Sequence, residues 1–551
     1  MQTENDPNIL YGGDYSESNE PLDENRGSLG AVILNDLLLG GDQTLFISGV
    51  TDKKWTYNDV RVESMKAARI LYGVGLRQND SIAILSENRI EFPIISFGAL
   101  YLNAVVAPIN VTYTERELTH ALNLSRPKIV FTSAFAAKLV TSVCNKLDFV
   151  KTIVHLDGNK SEGKIKSMND FIKNEDKNFN VEANASKKVD IKNQLSFIMM
   201  SSGTTGIAKG VQQTQENVLS IIQSYRDMFV LFRMLHDTKS IILNIAPFFH
   251  GFGFISMLLI SCSREATAVF LPRFEENAFF KAIEKHKVNI ITVVPPIMVL
   301  LAKSPLVDKY DLSSIKDIGS GAAHLSVEIE EQVMKRFKGQ VTIRQGYGMT
   351  ESVFGTLGGT VLLKPGSVGQ PMKGVYAKVI DENGNSLGPN KVGELCFKST
   401  RIMKGYVNDE KATSEIIDKD GWLHTGDLGY YDDDFQFFIV DRLKELIKYK
   451  AFQVPPAELE ALLLKNPKIK DVGVIGIPDE VAGELPFAFV VKQPGVELTE
   501  EEVKDFVAKN ASNAKWLRGG VKFIDEIPKN LSGKILRKDL RDLYKNTKSK
   551  L

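Results

Sequence analysis

The sequence contains few cysteines and no excess of either charge. Only Cys144, Cys262 and Cys396 occur among its 551 residues, far apart, without a Cys-x-x-Cys spacing or a nearby histidine pair. Neither a disulfide framework nor a zinc site is therefore supported, and a reducing compartment fits this usage. Lys plus Arg and Asp plus Glu each number 68, so no net field exists to hold a nucleic acid or an anionic membrane. We expect a small-molecule substrate and no nucleic-acid partner.

The N-terminal residues lack the basic segment and the apolar run of a signal peptide, so we expect no secretory route. Two stretches without acidic or basic residues, 92–114 and 241–263, are long enough to cross a bilayer. The second, however, contains Asn244, Pro247 and Gly251, and neither has a basic flank that would set a topology. We expect both to be buried strands and helices of a large core, and we expect no transmembrane segment.

Short β-branched runs alternate with longer amphipathic stretches along most of the chain. Residues 153–156 and 241–245 are predicted to be strands, and residues 279–286 and 326–337 to be helices. This alternation indicates βαβ units and therefore an α/β fold, with mostly parallel sheets covered by helices. Because 43% of the 551 residues are hydrophobic, the chain can form several cores rather than one.

The pattern changes twice toward the C-terminus. Between residues 366 and 441, short strand-like runs are separated by Gly, Asn and Asp, which predicts a β-rich subdomain. After Asp441, amphipathic helices mix with apolar strands, as expected of a compact α+β domain of roughly a hundred residues. We therefore predict a large N-terminal domain at residues 1–440 and a smaller C-terminal domain at residues 441–551.

A loop rich in Ser, Thr and Gly directly follows the apolar run at residues 195–200. Its glycines let backbone amides point inward, its hydroxyls donate further hydrogen bonds and its lysine adds positive charge, so it predicts a cradle for phosphate oxygens. The Gly-Lys-Ser/Thr ending of a Walker A loop is missing. The predicted phosphate contacts are Ser201, Ser202, Gly203, Thr204, Thr205, Gly206 and Lys209.

This loop is the first of five motifs that occur in order along the chain. They are SSGTTGIAKG at 201–210, QGYGMTE at 345–351, GWLHTGD at 421–427, DRLK at 441–444 and NLSGK at 530–534. Together they resemble the adenylate-forming superfamily of acyl-CoA synthetases, 4-coumarate-CoA ligases and beetle luciferases, and in particular insect luciferase-like fatty acyl-CoA synthetases. The resemblance extends over nearly the whole chain, and it implies ATP, Mg²⁺ and coenzyme A as the reaction partners.

The resemblance also implies a nucleotide site at these motifs. Thr204 and Glu351 would hold a magnesium ion, because an acidic residue beside polyphosphate requires a cation between them. Tyr347 would stack on the adenine, and Asp427 and Arg442 would bind the ribose hydroxyls. The further nucleotide contacts that it implies are Gly321, Ala322, Gln345, Gly346, Gly348 and Met349.

Four residues are implied to act in the reaction itself. Lys534 would reach from the small domain to bridge the acyl carboxylate and the α-phosphate, and Thr350 would act beside the metal site. His250 matches a family position at the mouth of the acyl pocket. The DRLK segment resembles the hinge about which a mobile small domain rotates, and Lys448 would then line the thiol tunnel.

The acyl pocket is expected to be apolar and to be formed mainly by residues 247–253, 320–324 and 353–355. The substrate contacts implied by the resemblance are Arg226, Phe252, Ser256, Ala323, Phe354 and Gly355.

These features together imply an AMP-forming acyl-CoA synthetase, with a medium- or long-chain fatty acid as the expected acid. A beetle-type luciferase, which oxidises luciferyl-adenylate with O₂, is an alternative that shares many of the motifs. Against it, Phe354 stands where luciferases are expected to have a small polar residue, and a phenyl ring there would crowd a rigid bicyclic substrate. A non-catalytic paralogue that binds nucleotide or lipid is the third alternative, and the presence of Lys534, Glu351, Asp427 and Arg442 argues against it.

Two positions depart from the family pattern. Ala208 replaces a proline that is usual in the phosphate loop, which would loosen the backbone slightly. Ala451 replaces a glycine that is usual after Lys450, and this puts the thioester step in question if the position needs a positive φ. The final Ser549-Lys550-Leu551 forms a peroxisomal address, so we expect a peroxisomal location and an import receptor as a partner.

Overall fold

The structure is a computed structural model that describes residues 6–14, 27–201, 208–236, 238–353, 355–358, 364–450, 452–479, 481–530 and 533–548. Its strands up to the middle of the chain are β1 Leu10–Tyr11, β2 Thr44–Ser48, β3 Lys54–Thr56, β4 Ser81–Leu85, β5 Val105–Pro108, β6 Ile129–Thr132, β7 Thr152–His155, β8 Ile165–Ser167, β9 Leu195–Ser201, β10 Lys209–Thr214, β11 Ile241–Asn244, β12 Thr267–Phe270 and β13 Ile290–Val293. The later strands are β14 Asp317–Ser320, β15 Thr342–Gln345, β16 Leu357–Gly358, β17 Gln370–Pro371, β18 Tyr376–Ile380, β19 Gly393–Lys398, β20 Gly405–Tyr406, β21 Leu423–Tyr431, β22 Phe437–Arg442, β23 Ile447–Tyr449, β24 Phe452–Val454, β25 Ile469–Asp479, β26 Gly483–Lys492 and β27 Gly520–Phe523.

The helices alternate with these strands. They are α1 Leu29–Gly40, α2 Tyr57–Gly73, α3 Glu91–Leu100, α4 Glu115–Ser125, α5 Ala137–Asn145, α6 Met168–Phe171, α7 Val181–Ala185, α8 Gln215–His236, α9 Gly251–Ser261, α10 Glu276–His286, α11 Pro295–Lys303, α12 Val327–Arg336, α13 Glu410–Ile416, α14 Pro456–Leu464, α15 Glu500–Asn510 and α16 Arg537–Lys548. Short 3₁₀ turns are found at Ile172–Asn174, Pro305–Lys309, Thr350–Ser352 and Asn513–Lys515.

Two mostly parallel sheets form the centre of the large N-terminal part. One has eight strands in the order β20-β10-β9-β5-β4-β6-β7-β8, and the other has seven in the order β15-β14-β13-β11-β12-β2-β3. Pairing is antiparallel only at the β20-β10-β9 edge and at β2-β3. The largest hydrophobic core takes residues from both sheets and from α1, α2, α3 and α9. The predicted α/β architecture is therefore confirmed.

The two long uncharged stretches of the sequence form interior elements. Residues 92–114 contain α3 and β5, and residues 241–263 contain β11 and α9. Helix α9 is buried on nearly all sides, which explains why its sequence is apolar throughout. Within the described part of the chain, every helix is too short or too polar to cross a membrane.

The predicted β-rich region forms an antiparallel sheet in the order β1-β18-β19-β21-β22. The edge strand β1 comes from the N-terminus, with Leu10 opposite Ala377. The sequence pattern did not predict this strand, because a two-residue strand leaves no periodic signal.

The C-terminal part forms its own sheet and cores. Its strand order is β24-β23-β26-β25, and β27 pairs in parallel with β26. Helix α14 is tied to the larger part by an ion pair of 2.6 Å between Lys465 Nζ and Glu328 Oε1 on α12. This ion pair joins the C-terminal part to α12, the helix that follows β14.

Candidate active site

The predicted phosphate loop connects two antiparallel strands. β9 ends at Ser201, β10 begins at Lys209, and these two residues are opposite each other. Next to Lys209, the carbonyl oxygen of Ala208 lies 2.8 Å from His120 Nε2. Lys209 Nζ lies 4.5 Å from the centre of the Tyr406 ring, a cation–π contact. The predictions for Ser202, Gly203, Thr204, Thr205 and Gly206 concern residues outside those that the structure describes.

Glu351 is a buried carboxylate at the end of this strand pair. The Ser201 hydroxyl donates to its Oε1 at 2.9 Å, and the Tyr406 hydroxyl donates to the same oxygen at 2.8 Å. Burial and the Glu351 charge raise the pKa of Tyr406, so this phenol remains a donor. The adjacent Thr350 carbonyl accepts from Gln213 Nε2 at 2.9 Å, which fixes the turn. A carboxylate oriented in this way fits the hard oxygen ligands that Mg²⁺ requires.

Asp427 is the centre of the predicted ribose site. It is 6% exposed and lies opposite Arg442 in the β21–β22 pair. Arg442 Nε lies 3.1 Å from Asp427 Oδ1, and the Tyr347 hydroxyl donates to Oδ2 at 2.6 Å. Burial and the Asp427 charge raise the pKa of Tyr347 well above its usual value. The structure thus brings the three residues predicted for adenine and ribose into one hydrogen-bonded group.

The glycine segments after β14 and β15 meet beside this group. The Gly346 amide donates to the Ser320 carbonyl at 2.9 Å, and a methyl group on Gly321 would lie 3.2 Å from the Gly346 carbonyl oxygen. Ala322 follows with a φ of +70°, so the chain turns sharply there. These close approaches leave backbone groups at the carboxyl ends of parallel strands, where ligands bind in such folds.

Not every residue of the QGYGMTE motif has its side chain available for a nucleotide. Gln345 is buried and its Nε2 donates to Glu330 Oε2 at 3.0 Å on α12. Met349 contributes its amide, which donates to the Ser352 hydroxyl at 3.2 Å. Gly348, between them, is half-buried. Gln345 therefore connects the motif to α12 by a hydrogen bond.

His250 begins the buried helix α9. Its Nδ1 accepts a hydrogen bond from the Phe252 amide at 3.3 Å, so the proton of the neutral ring is on Nε2. Burial lowers the pKa of His250, which favours that neutral form. Gly253 allows the tight entry, because a methyl group there would lie 2.2 Å from the Pro247 carbonyl oxygen. Phe252 is buried and Ser256, one turn further along, is half-buried.

The third pocket segment is strained. Val353, a buried β-branched residue, has a φ of +47°, a conformation that such residues rarely adopt. A methyl group on Gly355 would lie 3.3 Å from Met372 Sδ and 3.5 Å from Ile221 Cδ1, so this glycine packs against α8. Ala323, of the segment after β14, is half-buried. The prediction for Phe354 lies outside the described residues.

Arg226 lies in a cluster of ion pairs. Its guanidinium forms an ion pair with Asp36 of α1, and its Nε donates to the Cys262 carbonyl at 3.4 Å. Asp36 is fully buried and also pairs with Arg264 at 2.7 Å. Cys262 follows the last residue of α9, so this ion-pair cluster is about 17 Å along the helix from His250. The guanidinium of Arg226 is thus held in this cluster, and its contact with the substrate stays a prediction.

Lys534 directly follows Gly533, which packs against Pro296 of α11. Its pKa is lowered to about 8, mainly by burial and next by the Arg442 charge, while the Glu445 and Asp427 charges act in the opposite direction. Its backbone amide donates to Asn530 Oδ1 at 2.9 Å, which closes the turn that carries it. Residues 531 and 532 of the NLSGK motif lie outside the residues that the structure describes.

The Lys448 segment is formed by the strands β23 and β24. Lys448 is exposed, and β23 and β24 pair so that it is opposite Gln453. Lys450 has a φ of +54°, and the next residue, Ala451, lies outside the described residues. Phe452 is 59% exposed, which leaves an aromatic ring of this segment in solvent.

Sequence reasoning missed three contacts of the site. Tyr406 occurs in a plain Lys-Gly-Tyr stretch and reaches Glu351 only because β20 pairs with β10. Asp441 accepts from the Ala457 amide at 3.0 Å and so ties the predicted hinge to the start of α14. Gly533 contacts Pro296 of α11, on the larger part of the molecule. The local sequence signal for the contact with Pro296 was the glycine that precedes Lys534.

Comparison with known proteins agrees with this geometry. Residues 40–407 match the AMP-binding enzyme family, and residues 458–534 match the AMP-binding enzyme C-terminal domain. A luciferin 4-monooxygenase from Photuris pensylvanica is 43% identical over 99% of this chain and 100% of its own. A probable 4-coumarate-CoA ligase from Dictyostelium discoideum is 38% identical over 93% and 94%.

A solved structure of ATP-bound MatB from Rhodopseudomonas palustris has the same fold. It superposes with a TM-score of 0.82 at 24% identity, over 93% of this chain and 99% of that one. The predicted resemblance is therefore confirmed, and the chain belongs to the AMP-binding family of adenylate-forming enzymes.

Proposed function

We propose that the protein is an AMP-forming acid–thiol ligase, which activates a carboxylic acid with ATP and passes the acyl group to coenzyme A. The observation that carries this proposal is that Lys534 directly follows Gly533, which packs against Pro296 of the larger part of the molecule, and that the Arg442 and Asp427 charges act on Lys534. We propose that its ammonium group comes within reach of the α-phosphate of a nucleotide whose ribose is bound by Asp427. Charge held in place before the reaction stabilises the transition state without further reorganisation.

The nucleotide is proposed to lie along the group formed by Tyr347, Asp427 and Arg442. Asp427 offers two carboxylate oxygens, which match the two ribose hydroxyls. Glu351 would hold a magnesium ion together with Thr204, and that ion would reduce the repulsion between polyphosphate oxygens. The orientation of Glu351 by two hydroxyl donors on one oxygen supports this assignment.

In the first half-reaction, a carboxylate oxygen of the acid bonds to the α-phosphorus of ATP. The bond between that phosphorus and the bridging oxygen breaks, and pyrophosphate leaves with the electron pair. Lys534 neutralises the negative charge shared by the acyl carboxylate and the α-phosphate. His250, neutral and with its proton on Nε2, can donate a hydrogen bond at the entrance of the acyl pocket.

In the second half-reaction, the sulfur of coenzyme A bonds to the acyl carbon, the acyl–phosphate bond breaks and AMP leaves. The thiol proton passes to solvent or to the departing phosphate. The exposed Lys448 face would meet the site after rotation of the small domain about residues 441–444, while Lys534 withdraws. The exposure of Lys448, which leaves its side chain free of the described nucleotide group, supports this order of events.

The acid is proposed to be a medium- or long-chain fatty acid. Helix α9, which begins at the proposed pocket mouth, has an apolar buried sequence that offers few polar partners to a substrate. A peroxisomal location is proposed from Ser549-Lys550-Leu551, which lies outside the described residues. An N-terminal fluorescent fusion should move to the cytosol when these three residues are deleted.

A second candidate is a luciferin 4-monooxygenase, which the identity of 43% to the Photuris enzyme favours. Such an enzyme shares the adenylation step and differs afterwards, because O₂ rather than a thiol reacts with the adenylate. The site described above therefore supports adenylate formation equally in both candidates, and the product distinguishes them.

The test is incubation of the purified protein with ATP, Mg²⁺, coenzyme A and a panel of acids that includes luciferin. AMP and acyl-CoA in equal amounts are expected with fatty acids. Strong light with luciferin and no acyl-CoA would favour the monooxygenase instead. ATP binding without pyrophosphate release from any acid would overturn both and indicate a non-catalytic nucleotide-binding protein.

A further inference from the structure

Three potential metal ligands converge in the β-rich sheet, beside the nucleotide site. Cys396 on β19 is directly opposite His424 on β21. Glu394 is two residues before Cys396 and therefore points to the same face of the sheet. The Cys396 sulfur, a His424 ring nitrogen and a Glu394 carboxylate oxygen all lie within 4.8 Å of one another. Cysteine spacing along the sequence predicted no such site, because the pairing of two strands creates it.

The distances within this group match a tetrahedral ion. Cys396 Sγ lies 3.6 Å from His424 Nδ1, and that nitrogen lies 3.3 Å from Glu394 Oε2. A tetrahedral zinc ion with ordinary bond lengths separates a sulfur from a nitrogen ligand by about 3.6 Å, and a nitrogen from an oxygen ligand by about 3.4 Å. Two of the three ligand separations therefore fit one ion, and the third, between the Cys396 sulfur and the Glu394 oxygen, lies within 4.8 Å.

The surroundings orient each ligand toward the common point. His424 Nε2 lies 3.4 Å from Asp418 Oδ2, the carboxylate–histidine arrangement that supports many metal-bound imidazoles. A proton on Nε2 leaves the lone pair of Nδ1 for the ion. Glu394 Oε1 accepts from the Gly426 amide at 2.9 Å, so its other oxygen is directed to the group. Cys396 is buried, which protects the sulfur from bulk water.

We propose that Glu394, Cys396 and His424 bind one divalent cation of the zinc class, with water as the fourth ligand. The cation bonds to Sγ, Nδ1 and Oε2, and the thiol proton is released to solvent. Sulfur and imidazole ligands select Zn²⁺, Co²⁺ or Cd²⁺ over the hard cation Mg²⁺. This ion is thus distinct from the magnesium proposed at Glu351.

The proposed ion would act on the ribose site through the backbone. Glu394 would bind the ion with one oxygen and the Gly426 amide with the other. Gly426 immediately precedes Asp427 and has a φ of +69°, a turn that glycine accommodates without strain. Occupation should therefore stiffen the segment that carries Asp427 and raise the temperature of unfolding.

Titration of the purified full-length protein with Co²⁺ tests the proposal. We expect a thiolate-to-cobalt charge-transfer absorption that saturates at one equivalent, disappears on addition of Zn²⁺ and persists in excess Mg²⁺. Cys396→Ala should abolish the band, whereas Cys144→Ala, which removes another buried thiol, should retain it. Circular dichroism of each variant checks that it is folded.

Asp418→Asn provides a second variant that keeps all three ligands. It should lower the cobalt affinity about 10- to 100-fold, as expected when the carboxylate behind a ligand histidine is lost. A band that survives in Cys396→Ala would place the thiolate elsewhere and refute the site. Absence of the band in the folded wild-type protein would also refute it, since the group would then be only a hydrogen-bonded network.

Discussion

Gly533 touches Pro296 across the boundary between the small domain and the larger part of the molecule. A methyl group built on Gly533 would lie 2.8 Å from Cδ and Cγ of the Pro296 ring, and the φ of Gly533 is +78°. Because Gly533 directly precedes Lys534, this contact sets how close the proposed catalytic ammonium group comes to the ribose site.

Gly533→Ala should therefore impair adenylate formation by pushing the Lys534 turn away from α11. We expect a loss of about 10- to 100-fold in the rate of pyrophosphate release, because a displacement of about 1 Å at a reacting group has an effect of this order. Thiolysis of a supplied acyl-adenylate should change little.

Gly495→Ala is the matched control for this change. Gly495 has a similar φ of +76°, but nothing lies within 4 Å of the position of an added methyl group. It should therefore reproduce the backbone strain without the contact. Equal losses in both variants would show that strain, and not docking against Pro296, is responsible.

The charge of Lys534 should make adenylation depend on pH. Burial lowers its pKa to about 8, so the free enzyme loses the ammonium form as the pH rises through that value. We expect kcat/KM for pyrophosphate release to fall above pH 8, and kcat to fall at a higher pH because bound phosphate favours the charged form. In the unfolded chain the pKa of this lysine is near its ordinary 10.5. Between pH 8 and 10.5 the unfolded chain therefore binds more protons than the folded one, so this group raises the free energy of unfolding as the pH rises.

Lys534→Arg separates this effect from other titrations. A guanidinium remains charged at all accessible pH values, so the decline above pH 8 should disappear even if the rate is lower. Lys534→Ala should lower adenylation about 10²- to 10³-fold while sparing thiolysis of a supplied adenylate. An identical decline in wild type and Lys534→Arg would assign the titration to another group.

Tyr406→Phe should weaken the use of magnesium. The substitution removes one of two hydroxyls that donate to Glu351 Oε1 and leaves the ring over Lys209. A hydrogen bond to a charged group is worth about 1.5–3 kcal/mol, so the Mg²⁺ concentration for half-maximal adenylation should rise about 10-fold or more. An unchanged magnesium dependence would mean that Ser201 alone orients the carboxylate.

Asp36→Asn should destabilise the protein. Asp36 is fully buried between Arg226 and Arg264, and loss of its charge would leave two cations facing a neutral amide. Removal of one partner from a buried ion pair typically costs about 3–5 kcal/mol. Thermal unfolding followed by circular dichroism should show a lower midpoint. Arg264→Met should have a smaller effect, since that side chain is 40% exposed, and an unaltered midpoint in Asp36→Asn would contradict the assignment.

The motifs of the sequence predicted a set of nucleotide contacts, and the fold brings three of them together. Tyr347, Asp427 and Arg442 come from three separate segments and meet in one hydrogen-bonded cluster. Arg226 shows the limit of such reasoning, because its guanidinium pairs with Asp36, a residue 190 positions away that no local pattern connects to it. The side chain of Gln345 is likewise held by a residue outside its motif, because it donates a hydrogen bond to Glu330 of α12.

The sequence by itself determined the α/β class, the family and the chemical types available at the site, because these depend on side-chain identity and on spacing within short segments. Only the tertiary structure decided which of those groups are neighbours: the Tyr406 hydroxyl on Glu351, Gly533 on Pro296, and Cys396 opposite His424. Each of these contacts joins residues from different strands or from different parts of the molecule. Strand pairing and the docking of the small domain create such proximity through packing across the whole chain, and that packing leaves no periodic signal in the residues that it brings together.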